Sequence, residues 1–284
     1  MGLKYLPWQA LPPAQLFATH TPLSTLHEHL AYHANQSTSP PLDVQQHLLT
    51  WIKSHRQDRS DTFNQAVILL GHCSDIRTDA IQMLGALLKH PEFYIRGNAA
   101  MALAKLQVDQ PTLIRQIGQL IFDHAGNGDW MASSAALDAL IVLKQQAVVA
   151  LPELLDYIDR YPNQPDSSRH PCSNRTLAQI FTQIAQPHPK IVAWLLNLIE
   201  QQAREYATPK SSTQAICALA GMPDALTTAD RHMIQSFLTS AMLDMDIDDE
   251  SIYALLAAVE TLFGDQLKWI DQWVGIRFIG KVSI

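Results

Sequence analysis

The chain has 284 residues, 47% of them apolar, with 27 acidic against 20 basic side chains and a formal net charge of -7. That length buries a sizeable core in one or two domains, and the acidic balance argues against a non-specific nucleic-acid binder, which needs a basic excess to meet phosphates. Cys73, Cys172 and Cys217 are an odd set without close pair spacing, which argues against a disulfide framework and suits a reducing compartment with free, mostly buried thiols.

At the start, Pro12 and Pro13 interrupt the stretch where a signal sequence would need a continuous apolar run, and Leu6 stands where a myristoylation signal wants Ser or Thr. No apolar run is expected to reach the roughly 18 to 20 residues of a bilayer span. The expectation is a cytoplasmic protein without membrane contact, and a monomer by default. Residues 1–41 read as an N-terminal cap, a Pro-rich entry followed by the short helix TPLSTLHEHLAYH. His29 and His33 lie at i, i+4 and could chelate zinc from one helix face, but Ala31 occupies the place of the second histidine that a metalloprotease pattern needs after His27 and Glu28. Solvated surface histidines are therefore expected, and no metal.

From residue 42 to 264 almost every segment carries apolar residues at helical spacing, and none keeps a period of two. The fold class this predicts is all-α. Turn chemistry breaks the pattern at 35–41, 56–61, 90–92, 124–129, 208–210 and 245–249. Laid under IRGNAAMALAKL (95–106), the segments 132–143, 173–184, 211–222 and 251–262 keep the same apolar skeleton, with anchors at Ala66, Ala99, Ala136, Leu177, Ala215 and Leu255. Successive anchors are 33 to 41 residues apart, and each of these helices follows another amphipathic one. A helix-turn-helix unit thus recurs about six times. A small residue at the anchor lets the second helix lie close on its neighbour, while Leu103 and Leu106 fill the groove beside it. Such a pair cannot bury its apolar faces alone, so neighbouring pairs must stack into a superhelix.

The run from Ile95 to Leu106, with Arg96, Ala99, Ala102, Leu103 and Leu106 in place, resembles the second helix of a HEAT repeat, V-R-x-x-A-x-x-A-L-x-x-L. The resemblance covers about 42–264 and extends to the wider armadillo-like class. The sister helices carry Asn174, Ser212 and Ile252 at the arginine position, and His90 or Pro91 stands where the family favours an aspartate in the preceding turn. The resemblance implies a solenoid of about six antiparallel helix pairs. It also implies that Arg96 clamps its turn to the adjacent unit, and that second helices line a concave face carrying Asn98, Lys105, Asp138, Thr176, Gln179, Gln183, Gln214 and Tyr253. The loss of the arginine from the sister helices also leaves Arg96 a candidate for a partner contact on the concave rim. Residues 265–284 read as a C-terminal capping helix and tail, with Trp269 and Trp273 packed at i, i+4.

Several chemical motifs fail on inspection. The acidic run 244–250 begins like a calcium loop but offers Asp249 and Leu255 where glycine and glutamate are needed, so Asp248, Asp249 and Glu250 read as the cap of the following helix. GNGD (126–129) has no preceding strand and no following Lys-Ser or Lys-Thr, so it reads as a turn with Asp129 as N-cap rather than a phosphate cradle. His72-Cys73 and His170-Pro171-Cys172 lack a matching pair at finger-like spacing, and Asn35 and Asn174 head sequons that matter only on export. No catalytic residues and no cofactor are predicted. The long turn 159–175 is rich in Pro and Ser and carries Arg160, Arg169, His170 and Arg175, whose guanidiniums would suit acidic or phosphate-bearing partners.

The mixed polarity of the second-helix residues, Asn98, Lys105, Asp138, Gln179, Gln183, Gln214 and Tyr253, fits a folded protein partner better than a polyanion. The reading is a non-enzymatic protein-binding scaffold, in a narrower form a bacterial adaptor or an immunity protein that neutralises a toxin or effector. An alternative is a HEAT-like DNA-repair glycosylase, for which Trp130, Trp194 and Tyr253 supply aromatics and Asp138 a carboxylate, but basic residues are sparse. A third resemblance, to HEAT-repeat lyases that attach bilins to antenna proteins, requires a partner subunit and has no distinctive residues in this chain.

Overall fold

A computed structural model of the chain describes residues 13–18, 23–34, 39–123, 131–161, 174–202, 209–241 and 249–264. Every regular element among them is helical. In chain order these are α1 (Pro13–Leu16), α2 (Leu23–Ala34), α3 (Leu42–Ser54), α4 (Asp61–Leu70), α5 (Arg77–Leu87), α6 (Phe93–Lys105), α7 (Pro111–Gln119), α8 (Met131–Leu143), α9 (Leu151–Arg160), α10 (Asn174–Ile184), α11 (Pro189–Gln202), α12 (Pro209–Ala220), α13 (Thr228–Ala241) and α14 (Asp249–Phe263). They form two compact units, α1–α9 in one and α10–α14 in the other.

In the first unit α3 packs on α4, α5 on α6 and α7 on α8. The second helices also stack directly, α2 on α4, α4 on α6 and α6 on α8, while α1 meets α3 and α3 meets α5. The second unit repeats the scheme: α11 packs on α12, and α10, α12 and α14 stack in succession. Contacts between elements two apart in sequence are the mark of stacked helix pairs, each burying the face its neighbour would leave wet. The architecture is all-α and HEAT- or armadillo-like. Because α2 packs on α4 as α4 does on α6, the stacking extends into the segment expected to act as a cap.

Local chemistry sets the ends of the helices. Ser60 caps α4, its Oγ accepting the Phe63 N–H at 3.2 Å while Asp58 accepts the Ser60 hydroxyl at 2.9 Å. Pro111 opens α7, where its missing N–H costs nothing. Gln107, Lys144 and Ala185, just past α6, α8 and α10, take left-handed φ values of 52°, 53° and 46°. After α6 this lets the Val108 N–H reach back to the Leu103 carbonyl at 3.1 Å, satisfying a terminal acceptor. A left-handed residue thus follows three second helices without being a glycine.

Close approach explains the small residues. A Cβ on Gly71 would lie 2.8 Å from Ala102 Cα, and one on Gly97 would lie 3.0 Å from Ala135 Cβ. α6 buries most of its length: Ile95, Ala99, Ala100 and Leu103 have no exposed surface and Leu106 is buried too, while Asn98 and Lys105 reach solvent. At about 25 cal/mol per Å² of apolar surface, such a helix is held by packing rather than by propensity.

One expectation is corrected. The stretch 131–160 is long and apolar enough, with mean hydropathy 1.5 in its best window, to match a bilayer span in length and composition. In the fold it is not one rod. The chain turns at Lys144, runs through a 3-10 segment, Lys144–Ala150, and resumes as α9. Ala136, Leu137, Leu140 and Leu143 of α8 are buried, and α8 packs on α6 and α7.

Candidate functional site

Arg96 projects from the first turn of α6 and uses its whole guanidinium inside the protein. Nε and Nη2 donate to Asp123 Oδ2 at 2.6 and 2.5 Å, and Nη1 donates to the carbonyls of His90 and Pro91 at 2.7 and 2.8 Å. One side chain thus closes the turn that precedes α6 and ties it to the end of the next pair's first helix. No aspartate is needed in that turn, because His90 Nδ1 accepts the Glu92 N–H at 3.1 Å and the buried His90 ring stacks on Phe63. The neighbouring turns are also linked: Arg59 pairs with Glu92 at 3.0 Å, and the Tyr94 hydroxyl donates to the Arg59 carbonyl at 2.5 Å.

Other polar side chains bridge successive second helices. Asn98 Nδ2 on α6 donates to Asn64 Oδ1 on α4 at 2.6 Å. Lys105 Nζ donates to His72 Nε2, just past α4, at 3.2 Å, which requires that nitrogen to be unprotonated. Desolvation, and then the neighbouring ammonium, lower the His72 pKa, and desolvation lowers that of Lys105. In the second unit Gln214 Nε2 on α12 donates to Thr182 Oγ1 on α10 at 3.0 Å. These rungs share one logic: polar residues where two second helices abut, part satisfied by each other and part open to solvent.

The remaining expected residues are distributed as follows. Asp138 reaches solvent on α8, yet the surrounding protein desolvates its carboxyl enough to push its pKa up. Gln179 is half-buried on α10, and the Oε1 of Gln183 is enclosed without a hydrogen-bond partner. Tyr253 stands out from α14 at 62% exposure. Arg175 is exposed in the first turn of α10. Arg160 pairs with Asp156 through Nε–Oδ1 at 2.9 Å and Nη2–Oδ2 at 2.7 Å, and lies 4.7 Å from the centre of the Phe122 ring, with its side chain 58% exposed. Arg169, His170, Cys172, Asp129, Asp248, Trp130, Trp269 and Trp273 lie outside the described residues, and so does most of the acidic run.

The histidine pair of α2 is not a solvated one. His33 is buried, its ring edge-on to His29 at 4.7 Å and to Tyr32 at 5.0 Å, and burial together with His29 depresses its pKa to about 4. Among the described residues no three His, Cys, Asp or Glu side chains converge as a metal site would need. Burial pushes the Cys73 thiol up to about 12 and the Cys217 thiol up to about 11, so neither forms a thiolate nucleophile near neutral pH.

Sequence reasoning missed a second set of latches. Arg77, at the start of α5, donates from Nε to the Leu106 carbonyl at 2.9 Å and from Nη2 to the Gln107 carbonyl at 2.7 Å, capping α6 of its own pair. Arg231, in the first turn of α13, donates in the same way to the Leu262 carbonyl of α14, and to Pro223 O at 2.7 Å. Buried Gln45 of α3 holds Asp75, beyond the end of α4, through Nε2–Oδ2 at 2.6 Å and by accepting the Asp75 N–H at 3.2 Å. The available signal was an offset of 29 to 31 residues between a polar group opening a first helix and the end of its second helix.

No protein-family profile matches the sequence, and no curated protein does. Among solved structures the chain is similar to an engineered protein, at 17% identity and a TM-score of 0.46, over 88% of this chain and 96% of that one. It is similar to the complex of CpcE and CpcF of phycocyanin lyase from a Nostoc species, at 17% identity and a TM-score of 0.46, over 92% and 100%. A designed armadillo repeat protein is similar at 14% identity and a TM-score of 0.39, over 88% and 98%.

Proposed function

We propose that this chain is a protein-binding scaffold that holds a partner protein on polar surfaces made by the second helices within its units. The observation that supports it best is that each unit carries such rungs, Asn64–Asn98 and His72–Lys105 in the first and Thr182–Gln214 in the second. These are neutral or singly charged groups of both donor and acceptor character, anchored on rigid helices, which is what recognition of another protein surface requires. The narrower form of the proposal is a cytoplasmic bacterial adaptor or an immunity protein that masks a toxin or effector, supported by the acidic charge and the mixed polarity of these surfaces. The test is affinity capture with the intact chain at physiological ionic strength, followed by mass spectrometry. A stoichiometric protein partner, lost when Asn98 and Gln214 are replaced by Ala together, is the expected result. Recovery of no such partner counts against the scaffold, and undiminished capture by the double variant counts against these surfaces.

A further inference from the structure

We propose that the His72–Lys105 rung, with the Asn64–Asn98 rung beside it, is a recognition site for an aspartate or glutamate side chain of the partner protein. This rests on the scaffold reading and adds the chemistry of what is recognised. Lys105 Nζ has three donors, and one is directed at His72 Nε2, a neutral acceptor, at 3.2 Å. Among the described residues no carboxylate pairs with Lys105: the ion pairs of this unit join Arg59 to Glu92, Arg96 to Asp123 and Arg160 to Asp156. Asp75, the acidic residue closest to His72 in sequence, is held by Gln45. An ammonium is thus fixed in place by a neighbour that does not neutralise it.

Lys105 is open to solvent at the end of α6, so an incoming anion can reach its free donors, and desolvation lowers the pKa of both members of the rung. The charge is single, which matches a carboxylate. A phosphate dianion would call for a guanidinium fork or a second cation. The companion rung lies seven residues earlier on α6 and eight earlier than His72, a separation of about 11 Å along the parallel helices. Its two side-chain amides offer neutral donors and acceptors to the backbone or side chains flanking the acidic residue.

The experiment is NMR on the full chain with lysine Cε and histidine ring carbons labelled, titrated with N-acetyl-glutamate amide against the uncharged N-acetyl-glutamine amide and against inorganic phosphate. The expected result is a shift of the Lys105 and His72 signals several-fold larger than those of the likewise exposed Lys53 and Lys144, caused by the carboxylate probe alone. Lys105→Gln should abolish the His72 response, and Lys53→Gln should leave it unchanged. Equal movement of all lysines, no movement, or a larger response to phosphate overturns the inference. None of these outcomes bears on whether a protein partner is captured, so the scaffold stands or falls separately.

Discussion

Single residues in this chain do architectural work that their types alone leave open. Arg96 satisfies two carbonyls and one carboxylate, with only 17% of its side chain exposed. Removing it strips a turn of its donors, so Arg96→Ala is expected to lower stability by about 1–3 kcal/mol, read from urea unfolding. Arg96→Lys should recover little, because an ammonium cannot imitate the fork that reaches three acceptors. A change within experimental error in both variants would reduce the clamp to a passive contact. His33 makes a second prediction. The unfolded chain takes up a proton on this ring near 6.5, while burial holds the folded ring neutral down to about 4. Between those values the unfolded state binds more protons, so the contribution is fully present above 6.5 and is lost as the pH falls towards 4. It amounts to about 3 kcal/mol. Thermal unfolding followed from pH 7 to pH 4 should show this slope, and His33→Phe, which keeps the ring, should flatten it.

At the scale of elements, the spacing between second helices is set where a helix has no side chain. Gly71 abuts the backbone of Ala102, and a methyl there would approach Ala102 Cα to 2.8 Å, so α4 and α6 must part to accept it. Gly71→Ala is expected to cost about 1–3 kcal/mol of overpacking in urea unfolding, despite the better helix propensity of alanine. The same displacement should weaken the Asn64–Asn98 and His72–Lys105 rungs, so hydrogen exchange at α4 and α6 should rise together. Protection unchanged in both helices would mean that the stack absorbs the methyl without moving. The helical periodicity, the alanine anchors and the leucines that follow them were all legible in the sequence, because burial of one face leaves a 3.6-residue imprint on composition. The latches of Gln45, Arg77 and Arg231 were not, because a polar residue opening a helix looks the same whether it faces water or a carbonyl some 30 residues away.

For the whole molecule, charge decides which partners are excluded. With 27 acidic against 20 basic residues, and with Arg77, Arg96, Arg160 and Arg231 already engaged on acceptors of the chain, the cations left to release counterions from a phosphate backbone are outnumbered by carboxylates. The chain is expected not to be retained by duplex DNA or heparin at about 150 mM salt, measured by column retention or fluorescence anisotropy. Salt-sensitive binding to duplex DNA would favour the glycosylase alternative over the scaffold.

The sequence by itself determined that the chain is all-helical, that its helices come in repeating pairs and that small residues mark where they press together. Each of these follows from local periodicity and from the volume a close contact allows. The tertiary structure alone decided what the polar residues are for. Arg96 became a clamp when Asp123 arrived beside it, Arg160 turned back onto Asp156, His33 went inside, and Lys105 met a histidine in place of a carboxylate. A hydrogen bond between residues some 30 positions apart leaves no periodic trace, because either partner would be equally at home in water.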